Sequence, residues 1–165
     1  MTAPPRLRKL VLFTHVATSV GWLGTVVAYL ALDVTTVVSE DENLVGALYA
    51  AMEIVVYAAI VPLALASVLV GILNALITPW GLFRHYWVVV KLLLTLVATS
   101  VLLIETSTIS YLARQAAAIA DPRPLPGTLP HSIGGLIVLL GVLVLSIYKP
   151  RGLTRYGWRK QRAAR

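Results

Sequence analysis

The sequence predicts an all-α integral membrane protein built as a four-helix bundle. Hydrophobic residues make up 58% of the 165 residues and charged residues only 13%, whereas roughly a quarter of the residues in soluble domains are charged. Mean hydropathy is +0.83. Four apolar runs are each long enough to cross a hydrocarbon core about 30 Å thick. They leave no room for a separate soluble catalytic domain.

The four predicted spans are residues 10–32, 44–77, 87–112 and 131–148. A basic leader, residues 1–9, precedes them, and Pro4 and Pro5 disfavour a helix there. An acidic connection, residues 33–43, follows the first span, and Pro62 is expected to kink the long second span. A proline-rich connection precedes the fourth span, and residues 149–165 form a basic tail.

Basic residues predict the orientation of the chain. Of the fourteen Lys and Arg residues, three lie in the leader, two at the start of the third span and seven in the tail. The positive-inside rule therefore predicts cytoplasmic amino and carboxyl termini in a plasma membrane protein. The tail is expected to contact anionic lipid. It has no nucleic-acid recognition motif, so nucleic acid is not an expected partner.

Polar and small residues recur every three or four positions within the spans, as on one face of a helix. Such faces are predicted to turn toward the other helices, because polar groups in lipid are costly. The face of span one is His15, Thr18, Ser19, Trp22, Thr25, Tyr29 and Asp33; that of span two is Glu53, Tyr57, Ala64, Ser67, Gly71, Asn74 and Thr78; that of span three is Lys91, Thr95, Ala98 and Glu105.

Counting residues along the spans places the ionisable side chains at two depths. His15 and Lys91 fall at the same shallow cytoplasmic level. His15 is either a buried neutral imidazole bonded to a carbonyl or to Ser19, or a metal ligand. Lys91 either extends to the interface or joins that site. Arg84 and His85 lie at the interface just outside this level.

Three more ionisable residues fall at the opposite level. Glu53, Glu105 and His131 are either hydrated interfacial groups or ligands of a divalent metal ion, since carboxylate and imidazole suit such ions. Span four carries Gly134, Gly135 and Gly141, which give a smooth surface for a neighbouring helix or a flat ligand.

Two local patterns resemble known families. His15, Trp22 and Gly24 stand in HVATSVGWLG, and Trp87 and Lys91 stand in WVVVKLLLTL. The pairing resembles CopD-type copper-resistance membrane domains and, more distantly, HemJ-type protoporphyrinogen oxidases. The phrases TPWGLFRHYWVVVKLLL and YKPRGLTRYGW are similar, over nearly the whole chain, to a small uncharacterised four-span group from actinobacteria.

The HemJ resemblance implies haem b, with His15 as the ligand and Lys91 paired with it. Three more residues are candidates for binding this cofactor: Trp22 either packs or stacks on it, and Arg84 and His85 are either interfacial groups or part of the site, where Arg84 would pair with a haem propionate. The HemJ pattern continues with an arginine and a further histidine, whereas this chain continues to Asp33, which speaks against the oxidase activity. The CopD resemblance implies copper handling, although the two methionines, Met1 and Met52, form no cluster.

Three functions therefore stay open at the level of sequence. The first is a haem-b-binding protein of electron transfer or haem-linked redox chemistry. The second is movement of copper, another metal ion or protons. The third is a non-catalytic subunit, as a homodimer or in a larger membrane complex. The absence of cysteine excludes disulfides and thiolate sites, and no hydrolase or nucleotide motif is present.

Overall fold

The computed structural model describes residues 3–78 and 80–162, which form six α-helices. Four helical segments are long and apolar enough to cross a membrane. This confirms an all-α, multi-pass integral membrane protein. The helices are α1 (Pro5–Val38), α2 (Glu42–Val55), α3 (Val61–Ile77), α4 (Tyr86–Ala118), α5 (Leu129–Tyr148) and α6 (Arg155–Arg162), and a π-helical turn (Val56–Ile60) joins α2 to α3 into one span.

The four spans pack side by side as an antiparallel bundle. Helix α1 contacts α2, α3 and α5, while α4 contacts α2, α3 and α5, as expected for sequential helices joined by short connections. One end of the bundle, here called the tail end, carries the 78–85 connection and α6. The other, called the acidic end, carries the connections 39–41 and 119–128.

Helix α1 is longer at both ends than the predicted span. It begins at Pro5, because proline is well tolerated in the first turn of a helix, where its missing N–H has no partner anyway. It continues to Val38, so the expected acidic connection is largely helical. Asp33, expected where this connection begins, lies within the helix and is 0% exposed.

The π-helical turn changes which face of the second span is buried. Pro62 cannot donate to the carbonyl four residues earlier and its ring crowds that carbonyl; the wider turn just before it relieves this conflict. Buried positions before the turn are consequently one residue away from the predicted face. They are Val45, Leu48, Tyr49 and Met52, followed by Val56 and Ile60 within the turn and by Ala64 and Ser67 after it.

The tail and the 78–85 connection form one packed unit. The Thr154 backbone N–H donates to the Arg84 carbonyl (3.0 Å), and the Tyr86 N–H donates to the Gly152 carbonyl (3.3 Å). A Cβ at Gly157 would collide with the Arg84 carbonyl, so α6 approaches the connection at a glycine. The tail therefore covers the tail end of the bundle instead of extending away from it.

Arg123 ties the connections of the acidic end together. Its guanidinium bonds both carboxylate oxygens of Asp121 (2.8 and 2.9 Å) and Glu42 Oε1 at 2.8 Å. It also reaches Glu40 Oε2 at 3.5 Å. The hydrogen bonds from Arg123 hold the pKa of Asp121 below its ordinary value, and the surrounding carboxylates raise the pKa of Arg123, with Asp121 contributing most.

We expect Arg123→Gln to raise the pKa of Asp121 toward about 3.9, the value of a free aspartate. Because the folded pKa is the lower one, the contribution of this contact is present above the unfolded pKa and is lost as pH falls through the folded pKa. Carboxyl-carbon NMR titration of both proteins measures the shift. Equal Asp121 titrations in the two proteins would refute the assignment, and added salt should shrink the difference because the contact is exposed.

Candidate functional site

A cavity of about 170 Å³ lies inside the tail end of the bundle, between α1, α3, α4 and α5. His15 and Lys91, which the sequence places at one depth, both line it. Its walls combine aromatic and aliphatic side chains with few polar groups. The polar and aromatic lining residues are His15, Ser19, Trp22, Ser67, Asn74, Thr78, Trp80, Trp87, Lys91, Thr95 and Ser146. We call it the tail-end cavity.

His15 is held in this cavity by the close approach of α1 to α3. A Cβ placed on Gly71 would lie 2.8 Å from His15 Cε1, so only glycine allows the ring its position. The Ser67 backbone lies near the ring, whereas His15 Nδ1 is buried and has no hydrogen-bond partner among the described residues. Ser19, the expected partner, bonds Ser67 instead at 2.8 Å.

Asn74 supplies a second buried polar atom without a partner in the same cavity. Its Oδ1 accepts no hydrogen bond from the described part of the chain, and Asn74 lies one turn of α3 beyond Gly71. A buried polar atom left unpaired costs about 1–3 kcal/mol. Two such atoms in one cavity suit a ligand that coordinates or hydrogen-bonds there.

The side chain of Lys91 turns toward α5 within the bundle. Its ammonium group donates to Ser146 Oγ on α5 at 3.2 Å and lies 5.9 Å from the centroid of the Trp87 ring, a distance at which the cation and the ring attract. In its protonated form Lys91 gives the cavity a positive charge, which favours an anionic or electron-rich ligand.

A second, more open space adjoins the tail-end cavity under the tail. This tail groove has a volume of about 450 Å³ and shares Trp80 and Trp87 with the cavity. Trp87 is buried and its ring centroid lies 5.7 Å from that of Trp80, so it packs inside the protein. The cationic or polar residues that line the groove are Arg84, His85, Lys149, Arg151 and Gln161.

The five predicted cofactor-binding residues are thus divided between two adjoining spaces. His15, Trp22 and Lys91 line the tail-end cavity, and Arg84 and His85 line the groove. The His85 ring bonds the Trp80 carbonyl through Nδ1 at 2.9 Å, which fixes it at the rim.

The three residues predicted as an outer metal site do not come together. His131 Nε2 lies 3.4 Å from Glu105 Oε1, but the Glu53 carboxylate makes no hydrogen bond or ion pair with any described residue. Among residues 3–78 and 80–162, no group of three or more His, Asp or Glu has the arrangement of a metal site. Glu53 is separated because the π-helical turn shifts the face of the second span by one residue.

Asp33 is a buried ionisable residue whose hydrogen-bond partners could not be predicted from the sequence. Its carboxylate accepts the Thr128 backbone N–H (3.1 Å) and the Thr128 hydroxyl (3.0 Å). It also accepts the Ser132 hydroxyl at 2.7 Å, while Tyr29 bonds Thr128 Oγ1 at 2.8 Å. Asp33 therefore caps the amino terminus of α5, where a negative charge is favourable. A threonine at the N-cap position, Thr128, with Pro130 two residues later in the first turn, is the sequence signal for the start of α5.

No protein-family model, no curated protein and no solved structure matches this chain. The cavity and its side chains are therefore the basis on which a function is proposed.

Proposed function

We propose that this membrane protein binds haem b in the tail-end cavity, with His15 as an axial ligand, and serves electron transfer or haem-linked redox chemistry. One observation carries the proposal: a half-buried imidazole, whose buried Nδ1 has no hydrogen-bond partner among the described residues, faces a cavity inside a membrane bundle. A buried polar group in a span is costly unless it is paired or ligates a metal. Haem iron is a partner of suitable chemistry.

The residues present suit haem in four respects. Gly71 leaves room for the His15 ring. The Ser67 backbone can accept one ring N–H, and such a contact normally orients a metal-bound histidine. Trp22, Trp80 and Trp87 offer flat apolar surfaces, and the positive residues of the tail groove suit carboxylates.

The volume of the tail-end cavity is the feature that fits haem least well. At about 170 Å³ the tail-end cavity is smaller than the roughly 300–1,000 Å³ of pockets for drug-sized ligands. We assign the remainder of the ligand to the adjoining tail groove, which shares Trp80 and Trp87 with the cavity. Haem would therefore occupy both spaces, with its carboxylate-bearing edge in the groove.

Bound haem supplies one-electron redox chemistry. His15 would hold the iron, and the aromatic and aliphatic side chains that line the cavity would limit the access of water to it. Lys91 adds a positive charge beside the site, and a positive charge favours the more negative, reduced form of a redox group.

An absorption spectrum of gently purified protein in nanodiscs tests the proposal. We expect a Soret band, a pyridine haemochrome typical of haem b, and the loss of both in His15→Ala. The matched control is His131→Ala, which changes a histidine at the acidic end and is expected to retain the band. A colourless protein from haem-replete cells, or equal haem content in His15→Ala and wild type, would overturn it.

Copper handling has less support from the side chains. The Glu105 and His131 pair offers two ligands, and Met52 is buried in the core.

Two further expectations belong to the proposal: both termini in the cytoplasm of a plasma membrane protein, and contact of the basic tail with anionic lipid. The positive-inside rule and the basic α6 support them. A homodimer or larger membrane complex stays a prediction.

A further inference from the structure

A second cavity, of about 290 Å³, lies toward the acidic end of the bundle and is separate from the proposed haem site. It extends along α5 from His131 to Leu139, eight residues or about 12 Å. Trp22 and Leu139 line both this cavity and the tail-end cavity. Most of its wall is aliphatic: Val26, Val56, Ile60, Val97, Ala98, Val101, Leu102, Ile109 and Val138.

The cavity opens sideways between α4 and α5. Val97 and Val101 on α4 line it and are themselves 55% and 44% exposed. On α5, Gly134 and Gly135 line it, and a Cβ at either glycine would meet no atom within 4 Å. The absence of side chains at these two positions leaves a flat slot against the helix backbone. A ligand can therefore enter from the hydrocarbon region of the bilayer.

Polar groups are confined to one end of this cavity. Glu105 and His131 lie 3.4 Å apart there, with side chains 19% and 52% exposed. The hydroxyls of Thr128 and Ser132 are already engaged by Asp33. The Glu105 and His131 pair can accept from a ligand hydroxyl and donate to a ligand carbonyl, while the Tyr29 hydroxyl, which also lines the cavity, bonds Thr128 Oγ1.

We infer that this cavity binds a membrane-soluble quinone or quinol. The flat slot fits a ring, the aliphatic wall fits its apolar substituents, and the lateral opening lets a prenyl tail extend into the bilayer. The nearby carboxylates favour an uncharged head group. A phosphate would be repelled by the carboxylate of Glu105 and by that of Asp33, which lies behind Thr128. The inference concerns binding alone and stands whether or not the tail-end cavity holds haem.

Equilibrium binding of tritiated decyl-ubiquinone to the full chain in nanodiscs tests the inference, with partitioning subtracted by empty nanodiscs. We expect about one saturable site per chain. Gly135→Val fills the slot and should weaken binding at least tenfold. Gly141→Val is the matched control, since Gly141 also has open space at its Cβ but lines neither cavity, and it should bind as wild type does.

Two further arms keep the test decisive if Gly135→Val folds poorly. His131→Ala removes one hydrogen bond to the ligand and should weaken binding about three- to tenfold. Unlabelled decanol, which has the tail and a hydroxyl but no ring, should not displace the label. The inference is wrong if binding is not saturable, if His131→Ala binds as tightly as wild type, or if decanol competes as well as unlabelled quinone.

Discussion

Replacing Asp33 with alanine is expected to lower the free energy of unfolding by about 3–5 kcal/mol. Three donors, the Thr128 N–H and the Thr128 and Ser132 hydroxyls, lose their acceptor at about 1–3 kcal/mol each. The Ser132 hydroxyl can turn to the Leu129 carbonyl, 3.1 Å away, which offsets part of the loss. Since whole domains are stable by about 5–15 kcal/mol, this change removes a large share.

Thermal unfolding in nanodiscs measures the effect, and Asp41 offers a matched comparison. Asp41 also caps a helix, accepting the Asn43 and Leu44 backbone N–H groups at 2.9 and 3.3 Å, but it is exposed. Asp41→Ala is expected to cost about 1 kcal/mol, the usual value of an N-cap. If Asp33→Ala destabilises no more than Asp41→Ala, the buried cap does not have the structural role assigned to it.

The inward face of α1 is the part of the site that periodicity predicts well. An undistorted helix repeats every 3.6 residues, so the spacing of His15, Trp22, Tyr29 and Asp33 was enough to assign one face. Trp22, Tyr29 and Asp33 are buried and His15 is half-buried. In α4 the same reasoning placed Lys91 and Glu105 toward the other helices, where each lines a cavity.

Periodicity fails in the second span for a local reason. Pro62 predicts a disturbance, but a kink and a π-helical turn both accommodate a proline. Only the π-helical turn shifts the face by one residue, so it decides that Met52 and Val56 are buried, whereas Glu53 and Tyr57 are the predicted pair. The proposed outer metal site depended on Glu53 and is lost for that reason.

Contacts distant in sequence lie outside what local patterns predict. Asp33 meets Thr128 across 95 positions, and α6 packs on the connection that contains Arg84. Neither contact follows from residue spacing, since each depends on how the ends of the bundle close. The sequence therefore located the candidate ligand His15 but not the tail that covers its cavity.

The two cavities also limit each other's position within one bundle. Trp22 and Leu139 stand in both walls, so one indole and one leucine separate the proposed haem site from the proposed quinone site. If both ligands bind, this arrangement places a redox metal and a redox-active ring on opposite sides of Trp22. The two proposals nevertheless depend on different residues and are tested independently.

Replacing Gly71 with alanine is expected to displace the His15 ring with little loss of stability. The new methyl group would start 2.8 Å from Cε1 and 3.3 Å from Nδ1, closer than such atoms approach, and the ring end is the part free to move. Crowding of this kind costs about 1–3 kcal/mol, while replacing a helical glycine with alanine gains about 1 kcal/mol. We therefore expect haem content to fall at least tenfold while the melting temperature changes by only a few degrees.

Gly141→Ala is the control for this change. It gains the same helix propensity, but its methyl group enters open space, so haem content should equal that of wild type. NMR of nitrogen-15-labelled histidine gives a readout that does not require haem: the His15 ring signals should shift in Gly71→Ala and stay unchanged in Gly141→Ala. Unshifted His15 signals in Gly71→Ala would show that the ring does not lie against α3, and the imidazole position on which the haem proposal depends would then be wrong.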